Sequence, residues 1–393
     1  MNSKITHSEV QDFIAEHLDK DLNKTILKGS PFDGISIQEL AQQIAGKKTA
    51  QKKLPLWAEK SAIYFPPKIN LEQCSSALTA AYKTKLLNGN SIIDLTGGFG
   101  VDCLYFAKKL ETVIHCELDE NLSKITQHNA KILSIDNLTS FEGDSLTTLK
   151  KLNRKFDWIY VDPSRRNNLK GKVFLLKDCQ PNVPENLDFL FEFTNNILVK
   201  NSPILDISNT IQELKHTKEI HVIAVGNEVK ELLFVLEKNY KGSISIITSN
   251  QSKLEQQTFS FKWNFSATAN YSAVQKYLYE PNAAILKSGG FQQLSAQLQI
   301  DKLQQHSHLY TSNKLHIDFP GRKFVVQHTV PYDKKKILSL LTSKKANISV
   351  RNFPETVAQI RKKTKIKDGG EQYLFFTTNH LNKLTVLICR KAL

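Results

Sequence analysis

From Ser91 to Trp263 short apolar runs alternate with amphipathic segments, and few folds accept that rhythm. "SIIDLT" reads as a strand and "VDCLYFAKKL" as a helix; "TVIHCEL" and "ENLSKITQHNAKIL" repeat the pair, as do "LTSFEG" and "SLTTLKKL". The pattern continues through the strand "FDWIYVD", the helix "ENLDFLFEFTNN", the strand "ILVK", the helix "IQELKHTK" and the strand "EIHVIAV". "EVKELLFVLEK" reads as another helix, before the strands "SISIIT" and "TFSFKW". Strands and helices in this order predict an α/β fold, a doubly wound parallel sheet over residues 91–265. Such sheets bind ligands beyond the C-terminal ends of their strands.

The flanks differ. Residues 1–88 read as a helical unit: "SEVQDFIAEHL" and "SIQELAQQIAGKKTAQKKLPLWAEKS" carry apolar residues at helical spacing, and "NLEQCSSALTAAYKTKLL" reads as one helix capped by Asn70. Past Tyr271 strands and helices mix again. The sequence thus divides into 1–88, 89–265, a small ferredoxin-like or connecting unit at 266–320, and a basic α+β end at 321–393. The net charge of +15 favours phosphate-rich partners. The five cysteines form no C-x-x-C pair, so no metal site or disulfide framework is expected. No signal-peptide core or membrane-length apolar run occurs, so the expectation is a soluble cytoplasmic protein with no membrane partner.

The first strand ends in Asp94-Leu95-Thr96-Gly97-Gly98-Phe99-Gly100, opening onto a helix. Glycines at such a turn let the backbone approach a ligand. A nicotinamide fingerprint would need a third glycine where Cys103 stands. Asp94, ahead of the loop, suits a ligand with an ammonium group, which points to S-adenosylmethionine. Glu117 ends the second strand, 17 residues beyond Gly100, and is placed to accept from ribose hydroxyls. Asp144 ends the third, within reach of an adenine amino group, and Asp162 ends the fourth.

The runs "IIDLTGGFGVD", "HCELDENL", "FEGDS" and "IYVDPSRR" resemble a class I S-adenosylmethionine-dependent methyltransferase in order and spacing. "FPPKINLEQCSSALTAAYKTKLL", "LVKNSPILD", "YLYEPNAAILKSGGF", "FPGRKF" and "ISVRNFPETVAQIRKKTKIKDGGEQYLFF" extend the resemblance to the bacterial methyltransferases with a THUMP-like C-terminal domain. It implies a Rossmann-like methyltransferase sheet with S-adenosylmethionine as cofactor. Asp94, Thr96, Gly98 and Gly100 would form the donor loop, Glu117 would hold ribose and Asp144 adenine, and Gln73, Ser75 and Ser76 would cover the donor.

Methyltransferases acting on base nitrogens commonly end the fourth strand in an acid or amide, two prolines and an aromatic. Here Asp162-Pro163 matches, and Ser164-Arg165 replaces the rest. The acid would hold the target amine in line, which is positioning catalysis; Arg165 can stack on a base or bind a phosphate. Asp-Pro-x-Arg is also similar to the 5-methyluridine RNA methyltransferases, but their cysteine nucleophile has no counterpart at Lys200-Asn201-Ser202-Pro203. Arg166, Lys200, Arg351, Lys362 and Lys363 complete the candidate substrate-binding set, the last three from a basic run between Gly321 and Lys367 that suits an RNA backbone. The reading is an RNA methyltransferase acting on a base nitrogen. The alternatives are an RNA-binding protein on a silent methyltransferase fold, a methyltransferase for a small molecule or protein, and, last, a nicotinamide oxidoreductase.

Overall fold

The structure, a computed structural model, describes residues 1–165, 175–252 and 255–392. The chain divides into two compact units: residues 1–218 with 232–242, and residues 219–231 with 243–393.

The first unit is built on strands β1 (Ser91–Asp94), β2 (Thr112–Glu117), β3 (Leu138–Glu142), β4 (Phe156–Val161) and β5 (Thr194–Asn201). They lie parallel in the order β5-β4-β1-β2-β3. Ile92, Ile93, Ile159, Val161 and Ile197–Val199 are fully buried. Burial on both faces explains why these strands read as unbroken apolar runs rather than alternating ones. The predicted doubly wound sheet is therefore present.

Two sequence predictions need correction. Residues Glu228–Glu237 form a strand, not a helix; with β6 (Thr217–Val225) before it, this is β7. Its Leu232–Glu237 half pairs antiparallel with β5. The run "LLFVL" is buried throughout, which fits a strand covered on both faces as well as a buried helix. What decides is the preceding turn: Gly226 and Asn227 have φ of +58° and +67°, the geometry of a two-residue hairpin loop. The second correction lies before β1. "NLEQCSSALTAAYKTKLL" is two helices, Lys68–Gln73 and Ala77–Leu86. Ser76 is the N-cap of the second, in a reciprocal capping pair with Thr79, and the link before it is extended at Cys74 and Ser76.

The second unit contains a seven-stranded sheet in the order Asp301–Lys302, Tyr310–Ser312, Tyr277–Pro281, Gly321–Pro331, Leu384–Lys391, Gln372–Thr378, Asn347–Arg351. All neighbours are antiparallel except the last pair. Alternation along Gln372–Thr378 sends Leu374 and Phe376 to one face, against Ile337 and Ile360 of the helices Lys334–Ser339 and Val357–Thr364. Phe375 faces the other way, with Leu278, Leu387 and Cys389. The stretch beginning "YLYEPNAAILK" is a strand, Tyr277–Pro281, before the helices Ala283–Ser288 and Phe291–Leu298. Among the described residues no helix is long and apolar enough to cross a membrane.

Candidate active site

The C-terminal ends of β1–β4 open onto a cleft of about 700 Å³ whose lining includes Asp94, Thr96, Gly98, Gly100, Glu117, Asp144, Asp162 and Ser164. That volume is ordinary for a cofactor or nucleoside site. Gln73, Ser75 and Lys200 also line it, whereas Ser76 and Pro163 do not. The side chain of Ser76 is engaged in capping, and its neighbour Ser75 faces the cleft instead.

The glycine loop is held from below. Asp94, buried at the end of β1, accepts at Oδ1 from the Thr96 N–H (2.8 Å) and hydroxyl (3.1 Å), and at Oδ2 from the Cys103 thiol (3.1 Å). Cys103, which stands where a nicotinamide fingerprint has glycine, is thus a donor to Asp94; burial pushes its thiol well up, so it stays protonated. Burial also pushes the Asp94 carboxyl up to about 7, against the pull of the Thr96 and Cys103 hydrogen bonds. Gly98 and Gly100 sit at φ of +55° and +74°. At Gly100 a Cβ would also lie 2.3 Å from Thr126 Cγ2, so both conformation and space require glycine.

Each further strand-end acid has a local bond as well. Glu117 accepts the Gly98 N–H at 2.6 Å through one oxygen and the Asp119 N–H at 2.8 Å through the other. It therefore pins the glycine loop, and a carboxylate retains lone pairs for a ligand. Asp144 caps the helix Ser145–Leu152 by accepting from the Thr147 N–H at 2.7 Å. Leu118, three-quarters exposed, and Leu146 add apolar wall beside these acids.

At β4 the Asp162 N–H donates to Thr96 Oγ1 at 2.7 Å, which ties the fourth strand end to the first. The Asp162 carboxylate forms an ion pair through Oδ2 with Lys200 at the end of β5. Lys200, expected to touch substrate, is thus a direct partner of Asp162. Ser164 and Arg165 pair through their backbones with Gln180 and Cys179. The Arg165 side chain and Arg166 lie outside the described residues. Asn182, Glu185 and Asn186 also line the cleft, none of them foreseen; Asn182 Oδ1 caps its helix by accepting from the Glu185 N–H at 3.3 Å, and the Asn186 amide donates to the Asn182 carbonyl at 2.7 Å.

A buried polar cluster also escaped the sequence reading. Asp102 lines the cleft and accepts at Oδ2 from Ser75 Oγ and Tyr160 OH, both at 2.8 Å. Lys83, with no exposed surface, lies 3.3 Å from Asp102 Oδ1 and donates to Ser75 at 3.0 Å. Burial alone would raise the Asp102 carboxyl; the Lys83 and Lys200 charges and the two hydroxyl bonds outweigh it and hold the group low. The cluster joins the pre-sheet link, two helices and β4 at the cleft wall.

In the basic end the predicted RNA contacts separate. Arg351 pairs with buried Glu280 at 2.9 Å, beside Arg322, whose Nε donates to the same carboxylate at 2.6 Å. Lys363 pairs with Glu355 at 2.8 Å. Lys362 is exposed, with no ion pair among the described residues.

The sheet order, with a cleft at the strand ends, is that of the class I methyltransferase fold. Family models match residues 89–239 as an RNA cap guanine-N2 methyltransferase, 277–320 as a ferredoxin-like domain and 321–391 as THUMP domain-like. A solved protein of Porphyromonas gingivalis W83, described as a putative methyltransferase, is 31% identical over 99% of this chain and 98% of its own, with a TM-score of 0.85. The chain belongs to the same methyltransferase family as that protein, and its own residues 321–391 form the THUMP-like end. An O-methyltransferase from Bacillus cereus in complex with SAH is 14% identical over 44% of this chain and 88% of its own, with a TM-score of 0.34. An rRNA methylase from Streptococcus thermophilus is also 14% identical, over 41% and 94%, with a TM-score of 0.30. These two likenesses are too slight to carry an argument. No curated protein matches the chain.

Proposed function

We propose that the protein is an S-adenosylmethionine-dependent methyltransferase that modifies a base nitrogen in RNA. The observation that carries this reading is the placement of Asp162: its N–H is fixed by Thr96 of the glycine loop, and its carboxylate is fixed by Lys200 on the same cleft. When bound, S-adenosylmethionine supplies an electrophilic methyl group. The residues fit it. Glu117 and Asp144 offer acceptors for hydroxyl and amino groups, Leu118 and Leu146 offer apolar surface for a purine ring, and Asp94, Gly98 and Gly100 shape the loop.

Lys200 occupies Oδ2 of Asp162, so Oδ1 is the atom for a target N–H. Accepting that hydrogen raises the electron density on the nitrogen and aims its lone pair, and the proton released on methylation has the same carboxylate as its first acceptor. Asn182 and Asn186 line the same cleft and offer further polar groups to a bound base. RNA as the substrate rests on the net charge of +15, the family model for residues 89–239 and the THUMP-like end at 321–391. In this reading residues 1–88 are a helical N-terminal domain, 89–265 the methyltransferase domain, 266–320 a ferredoxin-like or connecting unit and 321–393 a basic RNA-binding module in a cytoplasmic enzyme.

The test incubates the full chain with methyl-labelled S-adenosylmethionine and total RNA, then digests the RNA to nucleosides. Label in a nucleoside methylated on base nitrogen is expected. Label confined to protein or small molecules, or to ribose or a base carbon, overturns the proposal.

A further inference from the structure

The second unit holds another cavity, of about 490 Å³, lined by Phe265, Phe291, Gln292, Lys302, Gln305 and His308 among others. Its most informative member is Lys302, which is only 2% exposed. An ammonium has three hydrogens to donate. Lys302 places one, on the Gln305 carbonyl at 3.0 Å, and has no carboxylate partner among the described residues. The rings of Phe291 and Tyr271 lie 5.6 and 5.9 Å from Nζ, at the outer limit of useful cation–π contact. Burial draws the ammonium below the usual lysine range. A buried charge without a counter-ion is costly to a fold, and such groups in a cavity mark binding sites.

The surroundings say what would bind. His308 stacks on Phe291 with ring centroids 3.6 Å apart and planes at 19°, and its Nδ1 is buried without a partner. Burial first, then the Lys302 charge, holds His308 at about 4, so it is neutral and adds no positive charge. Phe265 is 67% exposed at the mouth, and the Gln292 amide is exposed beside it. A phosphate group would call for several cations. One ammonium, flat aromatic walls and amide edges instead suit a planar, uncharged ring with a carbonyl oxygen.

We propose that this cavity takes one unstacked RNA base bearing a ring carbonyl, which accepts from Lys302 and stacks on Phe265. The inference rests on RNA being the substrate. It adds a base-reading site, built by residues between Phe265 and His308, to the backbone contacts proposed for exposed lysines.

The test measures fluorescence anisotropy of the full chain with labelled hexauridylate and with an abasic hexamer of equal phosphate count. The wild type should bind hexauridylate roughly tenfold more tightly than the abasic strand. Lys302→Met should erase that preference, leave abasic binding unchanged and not lower the melting temperature, since it removes a buried charge at similar volume. Phe265→Ala, at an exposed position, should reduce the preference several-fold. If both variants keep the full preference, the site assignment fails while RNA binding stands. If neither strand binds the wild type, the RNA reading fails and takes this inference with it. If inorganic phosphate alone displaces hexauridylate from the wild type but not from Lys302→Met, the cavity is an anion site and the base assignment is overturned.

Discussion

The strand-end cleft and the basic end treat charge in opposite ways. In the cleft nearly every charged group is held by the chain itself: Asp94 by Thr96 and Cys103, Glu117 by Gly98, Asp162 by Lys200, Asp102 by Lys83, Ser75 and Tyr160. In the basic end Arg351 and Lys363 are committed to Glu280 and Glu355, while Lys362 and its exposed neighbour Lys365 face water. A preorganised site needs donors and acceptors fixed before substrate arrives. A surface that follows a phosphate backbone needs only positive charge within reach. Counting charges along the sequence therefore overstates the basic surface and understates how much of the acid in the cleft is already committed.

Substitutions at matched positions sharpen this contrast. The largest stability effect is expected at Lys83→Met, which takes the nearest charge partner from the buried Asp102 carboxylate and should cost roughly 3 kcal/mol in chemical denaturation. Adding Asp102→Leu should restore much of that loss. A small effect from the single variant would mean that the cleft cluster is not held together as described.

Asp94→Asn should act in the opposite direction and depend on pH. The unfolded carboxyl ionises near 3.8 and the folded one near 7. Between these values the folded state holds the extra proton, so stability falls as pH rises and the penalty is complete above the folded value. The variant should therefore melt several degrees above wild type at pH 8, with the gap closing toward pH 4, while binding the donor more weakly. A gap of the same size at both pH values would contradict the buried, desolvated Asp94.

In the basic end Arg351→Gln should lower stability by about 1–2 kcal/mol, because Glu280 loses one of two partners. Lys362→Gln should leave melting unchanged and reduce the salt slope of RNA binding by roughly 0.7–1. If these two outcomes were exchanged, the division between structural and surface charge would be wrong.

The frame of the site was legible because its signals are local. A glycine loop after a strand, and acids at 94, 117, 144 and 162 each ending an apolar run, need no tertiary information. Three features were not legible, for physical reasons. Leu232–Leu236 is apolar on both faces, so periodicity could not separate strand from helix, although the Gly226-Asn227 turn carried the answer. Asp102 looked like the first turn of a helix, because its partners Ser75 and Tyr160 are 27 and 58 residues away. Arg351 sits in "ANISVRNF", and only the tertiary fold brings it to Glu280, 71 residues earlier, the carboxylate it pairs with.

The central claim is that Asp162 holds the target nitrogen while the donor site is built separately by the glycine loop and its acids. Single-turnover methyl transfer into the proposed RNA substrate, compared between wild type and Asp162→Ala with the donor dissociation constant measured in parallel, tests it most directly. The account predicts a rate at least about 100-fold lower in the variant, with donor affinity unchanged. Equal rates, or a loss explained entirely by weaker donor binding, would contradict it.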